Sequence, residues 1–176
     1  MTTEVLPRPG TDEYSPFYAG YIDSVPEGDL LETLTNQLDE ILVLCGSVGE
    51  AQGDHAYAPG KWTIKEVLGH LNDAERIFAY RALRIARGDT TPLPGFDENA
   101  YTPESGATTR TLADLAEEFA AVRRATLALL GTFTAETAAR RGTASDHPAS
   151  ARAIAWTIAG HAGHHVRILR ERYLGQ

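Results

Sequence analysis

Apolar side chains recur at helical spacing in four long stretches of this chain, separated by polar segments rich in glycine and proline. From Glu27 to about Val48, Leu30, Leu31, Leu34, Leu38, Ile41, Leu42 and Cys45 share one face, and Gly49 marks the stop. Thr63-Ile64-Lys65-Glu66 has the form of a capping box, in which hydroxyl and carboxylate satisfy backbone donors reciprocally. A second helix is predicted there, with Ile64, Val67, Leu68, Leu71, Ile77 and Phe78 as apolar positions, continuing through Leu83 and Ile85 to Gly88. Thr111 can cap a third, whose buried face carries Leu112, Leu115, Phe119, Val122 and Leu129 before Gly131; a helical turn at Thr134 follows. Beyond Ser150, Ala153, Ile154, Trp156, Ile158, Ile168 and Leu169 define a fourth, reaching almost to Tyr173.

The intervening segments lack a period. Residues 1–26 read as an extended arm lying over a single domain of residues 27–176. Residues 89–110 contain three prolines and two glycines and read as a long loop, of a length that often carries function. The stretch RRGTASDHPAS before Ser150 is polar, and no segment has the alternation of a strand. Four amphipathic helices in one small chain cover their apolar stripes by packing as a bundle, so the expected fold is an all-α four-helix bundle whose linkers permit crossovers as well as short hairpins.

Composition narrows the possible partners. The chain has 176 residues, enough for one substantial core. A net charge of -8, with acidic residues spread along the chain, disfavours nucleic acid as the main partner. Cys45 is the only cysteine, which excludes an intrachain disulfide and a cysteine-based zinc cluster and fits a reducing compartment. The first residues lack a basic and then apolar leader, and no later stretch approaches membrane-span length, so a cytoplasmic protein without a membrane partner is expected.

Candidate chemistry concentrates on histidine. His161 and His165 lie four residues apart on one helical face, inside the apolar stripe of Ile154, Ile158 and Ile168; His164 falls beside Gly160 and Arg167 toward the polar side. Two imidazoles stacked on an apolar stripe need a hydrogen-bond network or a metal ion. His70, next to Val67 and Leu71, can face the interior and meet that pair, or can bond a carbonyl or Asp73; the residues alone leave both readings open. His55 and His147 lie in polar segments and read as solvated. Ala162 stands where a zinc protease of the HExxH type carries glutamate, which argues against that class. Asp73 is a candidate base, a hydrogen-bond partner behind the metal ligands, or a surface charge.

The stretch Lys61-Trp62-Thr63-Ile64-Lys65-Glu66-Val67-Leu68-Gly69-His70-Leu71, the run Arg81 to Asp89 (RALRIARGD), and the closing GHAGHHVRIL together resemble the DinB/YfiT-like superfamily, from about residue 30 to the C-terminus. The resemblance implies a four-helix bundle with a long crossover, often a homodimer, whose motif-matched ligands His70, His161 and His165 bind one divalent transition-metal ion, zinc or nickel first and iron or manganese next. Activities known in the superfamily include S-transfer dependent on bacillithiol or mycothiol, and a mycothiol-dependent maleylpyruvate isomerisation; related domains occur in ergothioneine-forming enzymes.

The expectation is therefore transfer of a low-molecular-weight thiol such as bacillithiol to an electrophilic small molecule, because a three-imidazole site has an open position at which a thiol loses its proton. Metal-dependent hydrolysis and a noncatalytic, metal-sensing bundle are the alternatives. The loop Leu93 to Tyr101 can fold over the site, with Phe96 and Tyr101 as contacts or as anchors. Arg81, Arg84 and Arg87 can meet an acidic cofactor or form a solvated face. Cys45, Trp62 and Trp156 read as packing residues.

Overall fold

The computed structural model describes residues 5–176 and contains seven helices: α1 (Ala19–Ser24), α2 (Leu30–Ser47), α3 (Ile64–Ala86), α4 (Glu98–Glu104), α5 (Leu112–Leu130), α6 (Ala135–Ala139) and α7 (Ala151–Ile168). The four long ones, α2, α3, α5 and α7, form the bundle. Each begins at the side-chain cap its sequence offers. Asp29 accepts from the amides of Leu31 and Glu32, Thr63 and Glu66 exchange bonds as a capping box, Thr111 accepts from Asp114 N, and Ser150 accepts from Ala153 N. At its end α7 widens into a π-helical turn, Leu169–Leu174.

Helix α3 packs against α5 and α7, and α2 packs against the same two, so α2 and α3 face each other across the bundle diagonal, as do α5 and α7. The linkers α2–α3 and α5–α7 are therefore crossovers. The longest linker, between α3 and α5, joins neighbours and spends its length on α4 and a 3₁₀ turn, Ala107–Thr109.

Two expectations need correction. The segment of residues 5–26 is not an extended arm; residues 1–4 of the expected arm lie outside the described residues. It holds 3₁₀ turns at Thr11–Glu13 and Pro16–Tyr18 and then α1, and Leu6, Ile22 and Val25 are buried in the core that contains Trp156. Specific bonds seat it: Trp156 Nε1 donates to Leu6 O at 3.0 Å, the Arg8 guanidinium donates to the carbonyls of Ile22 and Val25, and Arg152 forks onto Glu13 at 2.8 and 2.5 Å. Helix α1 reaches α7 because Gly160 has no side chain; a Cβ there would stand 2.2 Å from Tyr21 O.

The second correction is a two-stranded antiparallel hairpin, β1 (Arg141–Ala144) and β2 (His147–Ser150), in the stretch where no strand was expected. The four-residue strands, RGTA and HPAS, carry no alternation to read. The hairpin closes through Ser145 and Asp146, both at positive φ (51° and 63°), the backbone of a tight turn that matches strand twist. Leu93 joins its edge, donating to Thr143 O and accepting from Ser145 N, so the hairpin anchors the loop that follows α3.

Candidate metal centre

His70 projects from α3, and His161 and His165 from successive turns of α7; all three are buried. Their ring centroids form a nearly equilateral triangle with sides of 4.6, 4.9 and 5.0 Å. One candidate ligand nitrogen from each lies within 4.8 Å of the others, and His70 Nε2 faces His161 Nε2 at 3.0 Å. Three nitrogens bound tetrahedrally at 2.0–2.1 Å from one ion stand about 3.3 Å apart, so closure around an ion needs only small side-chain adjustments. His165 Nδ1 is buried without a hydrogen-bond partner among the described residues.

Electrostatics keeps the set unprotonated. Burial pushes His70 down to about 4, against a small opposing influence of the Glu98 carboxylate. Burial, followed by the neighbouring histidines, pushes His165 down to about 3 and His161 well below the ordinary value. Neutral imidazoles with free lone pairs are the form a transition metal binds, so an unpartnered buried nitrogen and this donor set both fit a divalent ion.

The triad lies in the wall of an open cavity of about 500 Å³. Aromatic rings surround it. Trp62 tilts against His70 at 4.8 Å, Phe78 and Tyr21 both meet His161 edge-on at 5.6 Å, and Tyr18 touches Phe78 at 6.2 Å. Phe17 stands at the rim, 74% exposed. Trp62 is held in place by Tyr173, whose hydroxyl donates to its carbonyl at 2.6 Å. Glu98, in the first turn of α4, is the carboxylate of this cavity; burial and then its charge raise the pKa of Tyr21. Asp97 positions that turn by accepting from the amides of Asn99 and Ala100.

The structure sorts the other sequence candidates. His164 is partly buried beside Arg167, with its Nδ1 3.3 Å from Nη2, and lines the cavity without joining the triad. His55 is exposed near Tyr173, whereas His147, also exposed, stands on β2 at the cavity wall. Asp73 faces Arg76 at 4.0 Å and Glu118, and is not among the cavity residues. Phe96 lines the cavity; Tyr101 packs on Phe96 and remains half exposed. Cys45 is buried in the core, which pushes its thiol up to about 11. Trp156 is a core residue as expected, and Trp62 both packs against the core and lines the cavity.

The three arginines have separate partners. Arg84 pairs with Asp89 and Tyr80, and Arg87 donates to Thr132 Oγ1 at 3.4 Å, so neither forms part of an anion cradle. Arg81 alone turns inward. Glu98, Ser145, Tyr18 and Tyr21 were missed, and only Glu98 had a local signal: Asp97-Glu98 reads as a cap and first turn inside the long loop.

Between the helices, Arg123 forms a bidentate pair with Glu75 at 2.6 and 2.7 Å and donates to Leu34 O at 2.9 Å; its side chain is 0% exposed. Gln37 accepts from Arg123 and donates to Ala159 O at 2.8 Å. This network joins all four bundle helices next to the histidine-bearing turns of α7, and no helical period in the sequence announces it.

Residues 33–169 match the family model described as the DinB superfamily. A solved structure from Bacillus subtilis, YfiT, has the same fold, with a TM-score of 0.72 at 19% identity, covering 96% of this chain and 94% of that one. It is described as a probable metal-dependent hydrolase with an unusual four-helix bundle topology. No curated protein matches the chain.

Proposed function

Since the chain belongs to the DinB superfamily, we propose that His70, His161 and His165 hold one divalent transition-metal ion, zinc or nickel, and that the protein is a metal-dependent hydrolase of a small molecule. The observation that carries this reading is the meeting of three buried, unprotonated imidazoles from two helices in the wall of an open cavity. Three neutral ligands suit a catalytic site better than a closed structural one, because they leave the ion its full charge and open positions. Such an ion, when bound, supplies Lewis acidity and eases the loss of a proton from water or a thiol.

The remaining roles belong to the protein. Glu98 faces the cavity close enough to influence His70, which suits it to accept the proton of the attacking nucleophile. The aromatic walls favour an apolar or aromatic body for the substrate. Hydrolysis is preferred over thiol transfer because this carboxylate supplies a base and because YfiT is described as a probable metal-dependent hydrolase. Transfer of bacillithiol would use the same ligands and differs in the nucleophile.

Metal analysis and turnover test the proposal together. Purified protein is expected to hold close to one equivalent of ion, and His161→Ala and His165→Ala to lose most of it; full retention in both variants overturns the site. A panel of activated esters and amides, with and without bacillithiol, separates the nucleophiles, and strict thiol dependence reassigns the protein as a transferase. Glu98→Gln is expected to retain the metal and lose ~100-fold or more in turnover, the ordinary size of a general-base contribution. No turnover of any substrate, combined with a strong fall in melting temperature on chelation, points to a noncatalytic bundle.

A further inference from the structure

Three cationic side chains are buried among the described residues: Lys65, Arg81 and Arg123. Two have carboxylates. Lys65 Nζ stands 2.8 Å from Glu50 and 3.1 Å from Asp54, and Arg123 is forked onto Glu75. Arg81, 3% exposed, has no carboxylate partner among the described residues. Its Nη2 donates to Pro94 O at 2.7 Å and to Ser145 Oγ at 3.0 Å, two neutral acceptors that fix the group but leave its charge uncompensated. Nε and Nη1 make no hydrogen bond to the described protein, yet neither is a sealed, unsatisfied atom; only Asn72 Oδ1 and His165 Nδ1 are. Both N–H groups of Nη2 are thus engaged, and the remaining donors, on Nε and Nη1, point to different sides of the guanidinium.

The guanidinium has a defined setting. Arg81 lines a narrow side cavity of about 20 Å³ that shares Ser15, Tyr18, Phe78 and His147 with the main cavity. Its other walls include Ala144, Pro148, Ala153 and Ile154, so the guanidinium is the charged group in an otherwise mostly apolar recess. The charge lies 5.8 Å from the ring centroids of both Phe78 and Phe96, and Phe78 is also the ring that meets His161. One small molecule lying along Phe78 can touch the histidines at one end and Arg81 at the other. The recess is the size of a water molecule or a planar terminal group, too small for a second ring.

We propose that Arg81 recognises a carboxylate at the end of the substrate remote from the three histidines. With Nη2 engaged, Nε and Nη1 each keep an N–H that no described protein group accepts, either of which can make a single charge-assisted hydrogen bond to a carboxylate, and an uncompensated buried charge gains most from a counter-ion. The substrate class is then a small acid with an apolar or aromatic body and the hydrolysable group at its other end. The inference rests on reading the main cavity as the substrate site, but it does not depend on the metal.

Calorimetric titration with 3-phenylpropanoate and its uncharged isostere 3-phenylpropanamide tests it, on metal-free and on zinc-loaded protein. The acid is expected to bind metal-free wild type at least ~10-fold more tightly than the amide, and Arg81→Met to abolish that preference. In ¹⁵N spectra of wild type, one arginine Nε–H signal should shift with the acid and not with the amide, a readout that holds even where the variants fold poorly. Equal affinities, binding of neither compound, preference retained in Arg81→Met, or no arginine signal shifted at saturating acid each overturn the proposal. So does acid binding that requires zinc, since the ion rather than Arg81 is then the partner. A chain that takes up no metal but still prefers the acid refutes the hydrolase reading and leaves this one standing.

Discussion

Alanine at Gly160 would put a methyl carbon 2.2 Å from Tyr21 O, 2.4 Å from Tyr21 C and 2.9 Å from its Cα. All three are backbone atoms, so no rotamer change relieves the clash; α1 must withdraw from α7 by roughly 1 Å to restore ordinary contact distances. Overpacking of this kind costs about 3 kcal/mol at the upper end of its usual range. Alanine returns about 1 kcal/mol of helix propensity, for a net loss of about 2 kcal/mol. Complete detachment of α1 would instead expose Ile22, worth about 1.5–3 kcal/mol, which bounds the same quantity from another side. Gly163, one turn on, is the control: its Cβ would meet only Gln37 Nε2, a side-chain end, at 3.3 Å. Gly163→Ala is expected to change stability by less than about 0.5 kcal/mol, propensity and lost hydrogen-bond geometry nearly cancelling. Urea denaturation of metal-free protein at pH 7.5, followed by circular dichroism, measures both. The melting temperature of Gly160→Ala should fall by about 4–8 °C, and ligand affinity with it, because Tyr18 and Tyr21 move with α1. Equal stability of the two variants, or a Gly160→Ala protein within about 0.5 kcal/mol of wild type, would refute the close-packing argument.

Two further outcomes follow from the charges. Glu75→Gln leaves Arg123 buried without its partner and should cost about 3–5 kcal/mol in urea denaturation, whereas replacing both Glu75 and Arg123 by leucine and methionine should recover most of it; equal losses in the two would argue against an uncompensated charge as the cause. Metal-free protein should lose stability as the pH falls below 6.5, because the unfolded chain then protonates histidines that the folded chain holds neutral down to about 4 at His70 and about 3 at His165. The folded pKa values lie below the unfolded ones, so the contribution is fully present above 6.5 and falls by up to about 1.4 kcal/mol per pH unit for each histidine; a denaturation midpoint unchanged between pH 7 and 5 would contradict it.

Local chemistry made much of this protein legible from sequence. The caps at Thr63 and Thr111, the glycines near the helix ends, and the apolar faces of the long helices are short-range features, and each appears where its residues place it. The four-residue spacing of His161 and His165 is a property of one helix and was readable for the same reason. Whether His70 meets them was open from its own surroundings, since that depends on how α3 lies against α7. The family resemblance, rather than periodicity, singled it out.

Elsewhere only the tertiary structure decided. Arg81, Arg84 and Arg87 are indistinguishable along the chain, yet one enters a recess while the others pair or face outward, because at three-residue spacing over the end of α3 and its C-cap they point in different directions and meet different partners. Glu98 becomes a cavity carboxylate through the path of the loop anchored on the hairpin, and the hairpin, built from residues with no strand pattern, pairs with Leu93 along its edge. The Arg123–Glu75–Gln37 network and the seat of α1 on Gly160 join residues far apart in sequence. A helix with its caps is selected by interactions within about four residues, which the sequence carries directly. A site assembled across a bundle depends on the relative placement of several helices and loops, set by the packing of the whole core.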